Sequence, residues 1–145
     1  MTYSPVLCPL IALVAWTLVM FVWMYATRIP AMRRAGVIDN RVGKAPGHLD
    51  SVLPPETQWK AHNYNHLMEQ PTLFYAVVLM LAMMGDRDQT TLGFAWAYVA
   101  LRILHSLVQS TVNIVRYRTI IFSLSSACLF LLTIRHAAIL IRTSA

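Results

Sequence analysis

The stretch VLCPLIALVAWTLVMFVWMYA, residues 6–26, contains no charged side chain. A helix needs about 20 apolar residues to cross a hydrocarbon core of about 30 Å, and this stretch is long enough. Three further apolar stretches follow at residues 61–84, 92–115 and 120–141. Because lipid cannot satisfy free backbone N–H and C=O groups, we predict that each stretch spans the membrane as an α-helix.

The composition agrees with a membrane protein. Of the 145 residues, 57% are hydrophobic and 12% are charged, and the mean hydropathy is +0.54. A soluble domain carries about 25% charged residues. We therefore predict an all-α membrane protein in which a single domain, residues 1–145, forms a bundle of four transmembrane helices. The predicted helices cover about 6–26, 59–84, 91–115 and 119–141.

One connection, residues 27–58, is much longer than the others. It contains Pro30, Pro46, Pro54 and Pro55, and proline interrupts helices because it lacks an N–H group and clashes with the preceding turn. We therefore expect a loop without a continuous helix. The other two connections are short, which predicts that the second, third and fourth helices are antiparallel neighbours.

The distribution of charge predicts the orientation in the membrane. The net charge is +6, and most basic residues lie in the segment 27–60 or in the link between the third and fourth helices. Cytoplasmic connections of membrane proteins are enriched in Lys and Arg. We therefore place the loop 27–58 and this link in the cytoplasm, and both termini and the second connection outside it. The basic excess thus reflects topology, and we expect no nucleic-acid partner.

Polar side chains interrupt the second and third apolar stretches at helical spacing. Those on the second helix share one face at i, i+4 and i+7, with one amide beside them: His62, His66, Glu69 and Asn65. Those on the third helix are spaced i, i+3, i+7 and i+11: Arg102, His105, Gln109 and Asn113. An ionisable group at membrane depth costs about 2.5–3.5 kcal/mol on insertion scales, so it usually faces a bundle interior or a functional site.

The antiparallel arrangement brings both faces to the cytoplasmic end, where Arg118 opens the fourth helix, and it leaves three interpretations. Glu69 could pair with Arg102 and only stabilise the bundle. Imidazoles one turn apart could instead hold a metal, with the ligand set His62, His66, Glu69 and His105. In the third interpretation the site binds an anionic ligand, since arginines pair with carboxylates and a glutamate accepts an ammonium group. We favour the third interpretation and predict no metal.

Two segments carry a family resemblance. They are NHLMEQPTLFY, residues 65–75, and WAYVALRILHS, residues 96–106, which continues to Asn113 and Arg118. The first resembles the helix-two signature, and the second the helix-three and loop signature, of the MAPEG family (membrane-associated proteins in eicosanoid and glutathione metabolism). The likeness spans nearly the whole chain and is greatest to the bacterial branch, which suits a bacterial inner membrane.

The resemblance implies a homotrimer in the lipid bilayer that uses glutathione as a co-substrate between neighbouring subunits. It implies that Arg118 stabilises the thiolate, that Glu69 holds the amino group and that Arg102 holds a carboxylate. The rest of the implied glutathione site consists of polar residues on the same faces: His62, Asn65, His66, His105, Gln109 and Asn113. The thiolate would attack a lipophilic electrophile or hydroperoxide dissolved in the bilayer.

Two positions depart from the pattern that is common in the family's enzymes. His62 stands where an arginine is common, and Gln109 stands where a tyrosine is common. Some members of the family bind lipids and activate partners without catalysis, so the fold does not determine the activity. The alternative function is therefore a non-catalytic lipid-binding or accessory subunit of a membrane complex.

Overall fold

The computed structural model describes residues 3–38 and 48–144. Within these ranges the chain forms helices and no strand: α1 (Leu7–Arg34), α2 (His48–Val52), α3 (Pro55–Glu69), α4 (Pro71–Met83), α5 (Gln89–Thr111) and α6 (Val115–Ser144). Four segments are long and apolar enough to cross a membrane: Leu7–Arg34, Pro55–Met83, Gln89–Thr111 and Val115–Ile141. The prediction of an all-α protein with four membrane helices is confirmed.

The first helix continues well past the predicted end at residue 26 and stops at Arg34. The predicted boundary between helix and loop was therefore wrong, since residues 27–34 continue the helix. Pro30 lies inside α1, and the Ala, Met and Arg residues after it are good helix formers with basic charge near the helix C-terminus. Gly36 then ends the helix, because its φ of 67° is a left-handed conformation that glycine adopts freely. Residues 39–47 of the predicted loop lie outside the described residues.

The second span begins at Pro55 rather than near residue 59, and it is interrupted once. Pro55 lies at the start of α3, where the missing N–H group has no helical partner to lose. Gln70 separates α3 from α4, directly before Pro71. The sequence predicted this weakening, because Pro71 removes a backbone donor from the middle of the span.

The third span begins and ends earlier in the chain than predicted, and the fourth span begins earlier. The side chain of Asp88 accepts hydrogen bonds from the backbone N–H groups of Thr90 (2.7 Å) and Thr91 (3.0 Å), so α5 begins at Gln89. These hydrogen bonds, above all the one from Thr91, stabilise the carboxylate and so lower the pKa of Asp88 below its usual value. Helix α5 ends at Thr111 instead of 115, and α6 begins at Val115 instead of 119. Asn113 consequently lies in the turn between them.

Packing divides the bundle into an apolar half and a polar half. The most extensive contact joins α5 and α6, while α1 packs against α3, α4 and α5. The apolar half, near the α4–α5 turn, is built from buried side chains that include Val6, Leu13, Phe74, Leu81, Tyr98 and Leu132. Buried polar side chains occupy the opposite half: Asn63, Arg102, His105, Ser106 and Gln109. The candidate site therefore lies at the end of the bundle where α5 passes into α6.

At the apolar end, polar contacts join three parts of the chain. His136 on α6 is 1% exposed, and its Nε2 atom lies 2.7 Å from a carboxylate oxygen of Asp86 in the α4–α5 turn. The hydroxyl of Ser4 donates to the backbone carbonyl of Asp86 at 2.6 Å. Arg135 and Asp88 form a second ion pair at 2.9 Å. These contacts hold the N-terminal segment and the turn against α6.

Candidate functional site

A cavity of about 210 Å³ lies where α3, α5 and the first turns of α6 meet. It is lined by His66, His105, Val115, Arg118, Thr119 and Phe122. The sequence placed three of these side chains, His66, His105 and Arg118, in one pocket. The structure brings those three together.

The two histidines form the inner wall together with an aromatic ring. The ring centroids of His66 and His105 are 5.2 Å apart. The ring of Phe122 stacks on His66 at 5.1 Å and lies 5.9 Å from His105. This packing restricts the rotation of both imidazoles, so their nitrogen atoms have defined directions at the cavity wall.

Arg118 is oriented by the turn that precedes α6. Its Nη1 atom donates to the side-chain oxygen of Asn113 at 2.6 Å. Asn113 has a φ of 52°, a left-handed conformation that asparagine tolerates better than most residues, and its N–H group donates to the carbonyl of Val108 at 2.7 Å. Asn113 therefore lies off the helical stripe on which it was predicted, and its side chain positions Arg118 at the cavity.

Glu69 lies at the outer edge of the site, on the surface of the protomer. Its side chain is 67% exposed, and one carboxylate oxygen lies 2.9 Å from Nδ1 of His66. Asn65, one turn earlier on α3, is also exposed. The structure therefore leaves a carboxylate and an amide uncovered in the middle of a membrane-spanning segment.

Arg102 lies beneath the cavity and is fully buried. Its Nη2 atom donates to the backbone carbonyl of His66 at 3.0 Å, and its guanidinium carbon lies 5.4 Å from the centre of the Phe122 ring. Within the described part of the chain, its Nε and Nη1 atoms have no hydrogen-bond partner. In one protomer, then, Arg102 has no surface from which to contact a ligand carboxylate.

Two other predicted site residues lie apart from the cavity. Gln109 is buried on α5 and is not among the residues that line the cavity. His62 is half exposed and faces Asp50 near the end of the loop, at 3.3 Å. Since His62 and His66 point to different partners, no group of three His, Cys, Asp or Glu side chains suited to a metal forms among the described residues.

Phe122 contacts both histidines and Arg102 but was not predicted to belong to the site. An aromatic residue in an apolar span carries no signal by itself, because most such residues face lipid or the core. The available signal was its spacing: Phe122 follows Arg118 by four residues, so both lie on one face of α6.

Comparison with known proteins agrees with this architecture. The model of the MAPEG family matches residues 6–138, which is nearly the whole chain and includes the first three spans, most of the fourth span and the cavity. Neither the curated proteins nor the solved structures contain a significant match. The chain therefore belongs to the MAPEG family.

Proposed function

We propose that this protein is an integral membrane glutathione transferase or peroxidase that acts on lipophilic electrophiles or hydroperoxides. Family membership supports a membrane function related to glutathione or to lipids. The site for glutathione would be the cavity between His66, His105 and Arg118, extended by Glu69 at its edge.

The single observation that carries the proposal is the exposed polar edge of this cavity. A carboxylate that is 67% exposed on one protomer would face hydrocarbon if the protomer stood alone, at a cost of about 2.5–3.5 kcal/mol. Small-molecule sites usually enclose about 300–1,000 Å³, whereas this cavity encloses about 210 Å³. A neighbouring subunit that covers Glu69 and Asn65 would shield the carboxylate from hydrocarbon. It would also add a further wall to the cavity and so increase the enclosed volume. We therefore propose a homotrimer with one site at each subunit interface.

Each polar group has a definite role in this proposal. The guanidinium of Arg118, at the start of α6, favours the thiolate of glutathione over the thiol, because opposite charge and the helix N-terminus both stabilise an anion. Glu69 accepts a hydrogen bond from the ammonium group. The thiolate sulfur then forms a bond to the electrophilic carbon while the leaving group departs with its electron pair. With a hydroperoxide, the sulfur attacks the terminal oxygen and the O–O bond breaks, so that the alkoxide leaves and takes a proton from water to become the alcohol. The glutathione sulfenic acid that forms then condenses with a second glutathione to give the disulfide and water.

The contacts of Arg102 support a different task from the one that the resemblance implied. Its donor reaches the carbonyl of His66 rather than the cavity. We therefore propose that Arg102 positions His66, and that arginine contacts with the glutathione carboxylates come from elsewhere in the assembled protein.

Binding of glutathione and turnover of an electrophile test the site with two variants. In calorimetry on the purified protein, Glu69→Gln should weaken glutathione binding by the about 1.5–3 kcal/mol that a charge-assisted hydrogen bond contributes. Arg118→Ala should lower kcat more than it weakens binding, and the ultraviolet absorbance of bound thiolate should fall.

Matched controls lie on the same helices. Glu56→Gln, in the exposed first turn of α3, and Arg116→Ala, exposed on α6, remove the same charges away from the cavity. Native mass spectrometry of the same preparation should give three chains. Wild-type protein that binds no glutathione at millimolar concentration would contradict the proposal.

One observation favours the alternative function. A second, mostly apolar groove of about 280 Å³ runs between α1 and the second span, lined by Val14, Leu18, Phe21, Tyr64, Met68 and Tyr75. Such a groove suits an acyl chain, and a lipid-binding accessory subunit would need no glutathione. Lipid retention in the absence of glutathione binding would support this alternative.

A further inference from the structure

A third cavity lies at the C-terminal end of α1, where the helix extends beyond its apolar segment. Neither His66 nor His105 lines it. It encloses about 340 Å³ between the last turns of α1 and the segment that leads into α3. Its lining includes Thr27, Pro30, Arg34, Val52, Pro54 and Thr57. The lining therefore combines one cation and hydroxyl groups with apolar side chains.

Helix length places this cavity at the level of the lipid headgroups. With 28 residues, α1 is about 42 Å long, whereas the hydrocarbon core is about 30 Å thick. Trp23 lies 5.4 Å from Nζ of Lys60, and Trp and Tyr side chains typically mark the membrane–water interface. Arg34 lies three turns beyond Trp23 on α1, so its guanidinium belongs on the polar side of that interface.

The cation in the cavity is available for a ligand. Within the described ranges, Arg34 makes no ion pair, and the same holds for Arg28 and Arg33. Among the carboxylates that the structure describes, Asp50 faces His62, and neither Asp50 nor Glu56 lines the cavity. Thr57 also lines the cavity and contributes a hydroxyl group. A guanidinium and a hydroxyl that line one cavity, at headgroup depth, match the chemistry of a phosphate group.

We propose that this cavity binds the headgroup of an anionic phospholipid from the surrounding leaflet. Arg34 pairs with the phosphate, and Thr57 donates a hydrogen bond to it. Pro30, Val52 and Pro54 contact the glycerol and the first carbons of the acyl chains, which remain in the bilayer. A bound lipid would hold the end of α1 against the segment that leads into α3. This site is separate from the glutathione cavity and does not depend on the proposed activity.

Reconstitution tests the proposal with one variant and a control that matches it in charge. The protein is placed in phosphatidylcholine nanodiscs with and without phosphatidylglycerol, and native mass spectrometry counts the lipids that each trimer or protomer retains. Wild-type protein should retain phosphatidylglycerol in preference to phosphatidylcholine. Arg34→Gln should reduce that preference at least about tenfold, the effect of losing one charge-assisted hydrogen bond to the phosphate.

Arg33→Gln is the matched control, because Arg33 is exposed, precedes Arg34 directly and does not line the cavity. It should retain phosphatidylglycerol like the wild type, and Arg34→Lys should retain it better than Arg34→Gln. Equal losses in Arg33→Gln and Arg34→Gln would show only diffuse attraction and would overturn the proposal. So would unchanged retention in Arg34→Gln. Binding of glycerol 3-phosphate by the detergent-solubilised protein, at the affinity shown for the lipid, would instead indicate a soluble anion as the ligand.

Discussion

Arg102 is buried beneath the candidate cavity and contacts the backbone of a residue that lines it. The backbone carbonyl of His66 lies in the last turn of α3, just before Pro71 interrupts the span. The guanidinium of Arg102 supplies a donor to that carbonyl at 3.0 Å. Basic side chains often satisfy the carbonyls at a helix end in this way. This hydrogen bond holds the backbone at His66, while packing against His105 and Phe122 orients the imidazole that contacts Glu69.

Replacing Arg102 by Met should therefore destabilise the protein. The substitution keeps much of the buried volume but leaves the carbonyl of His66 without its donor, which costs about 1–3 kcal/mol when the group is buried. Thermal unfolding in detergent, followed by circular dichroism, measures the effect. Arg116→Met, at an exposed position on α6, should have little effect. A more stable Arg102→Met protein would mean that the desolvation of the cation outweighs its hydrogen bond.

At the scale of the elements, α6 is held by different chemistry at its two ends. Near Val115 its residues form the cavity, while near its other end His136 contacts Asp86 at 2.7 Å and Thr91 at 3.3 Å. His136 also places Nδ1 2.6 Å from the carbonyl of Leu132 on its own helix. The α4–α5 turn is short, so this contact sets the position of α6 relative to the second span.

A double-mutant cycle measures this contact. His136→Leu and Asp86→Asn should each lower the free energy of unfolding, by about 1–3 kcal/mol if a buried polar partner is left unpaired. The double variant should lose less than the sum of the two, because residues in one network couple. The matched pair is Asp88 and Arg135, whose more exposed ion pair should contribute less. Strictly additive losses at His136 and Asp86 would show that the two side chains do not interact.

For the whole molecule, the distribution of charge predicts the orientation in the membrane. The end of the bundle that carries the cavity also carries six of the ten Lys and Arg residues in the described part of the chain: Arg28, Arg33, Arg34, Lys60, Arg116 and Arg118. At the opposite end, Asp86 and Asp88 flank Arg87, and Arg135 pairs with Asp88. Since cytoplasmic ends are enriched in Lys and Arg, we expect the cavity to open toward the cytoplasm and both termini to lie outside it.

Cysteine labelling in intact cells tests this orientation. A cysteine at Arg87 should react with a membrane-impermeant maleimide added outside, and a cysteine at Arg33 should react only after the membrane is made permeable. The variants are prepared with Cys8 and Cys128 replaced by Ser, so that neither native thiol reacts. The reverse labelling pattern would place the glutathione cavity on the side that lacks cytoplasmic glutathione, and the proposed function would fail with it.

The sequence alone determined that four helices cross the membrane and that polar side chains cluster at one end. Both follow from physics that acts locally. A long apolar run in lipid must satisfy its backbone groups within a helix, and a period of 3.6 residues decides which side chains share a face. Signals of the same local kind located the break before Pro71 and placed His66, His105 and Arg118 together. The family resemblance rested on those same residues.

Only the tertiary structure decided which polar side chains are buried and which are exposed. Arg102 and Glu69 were predicted for the same site, yet Arg102 is fully buried and the side chain of Glu69 is 67% exposed. Asn113 left its predicted helical face because α5 ends early, and Phe122 joined the site from α6. Helical periodicity gives the direction in which a side chain points around the axis of its helix. What covers that side chain depends on the neighbouring helices, and their placement is set by packing across the whole bundle.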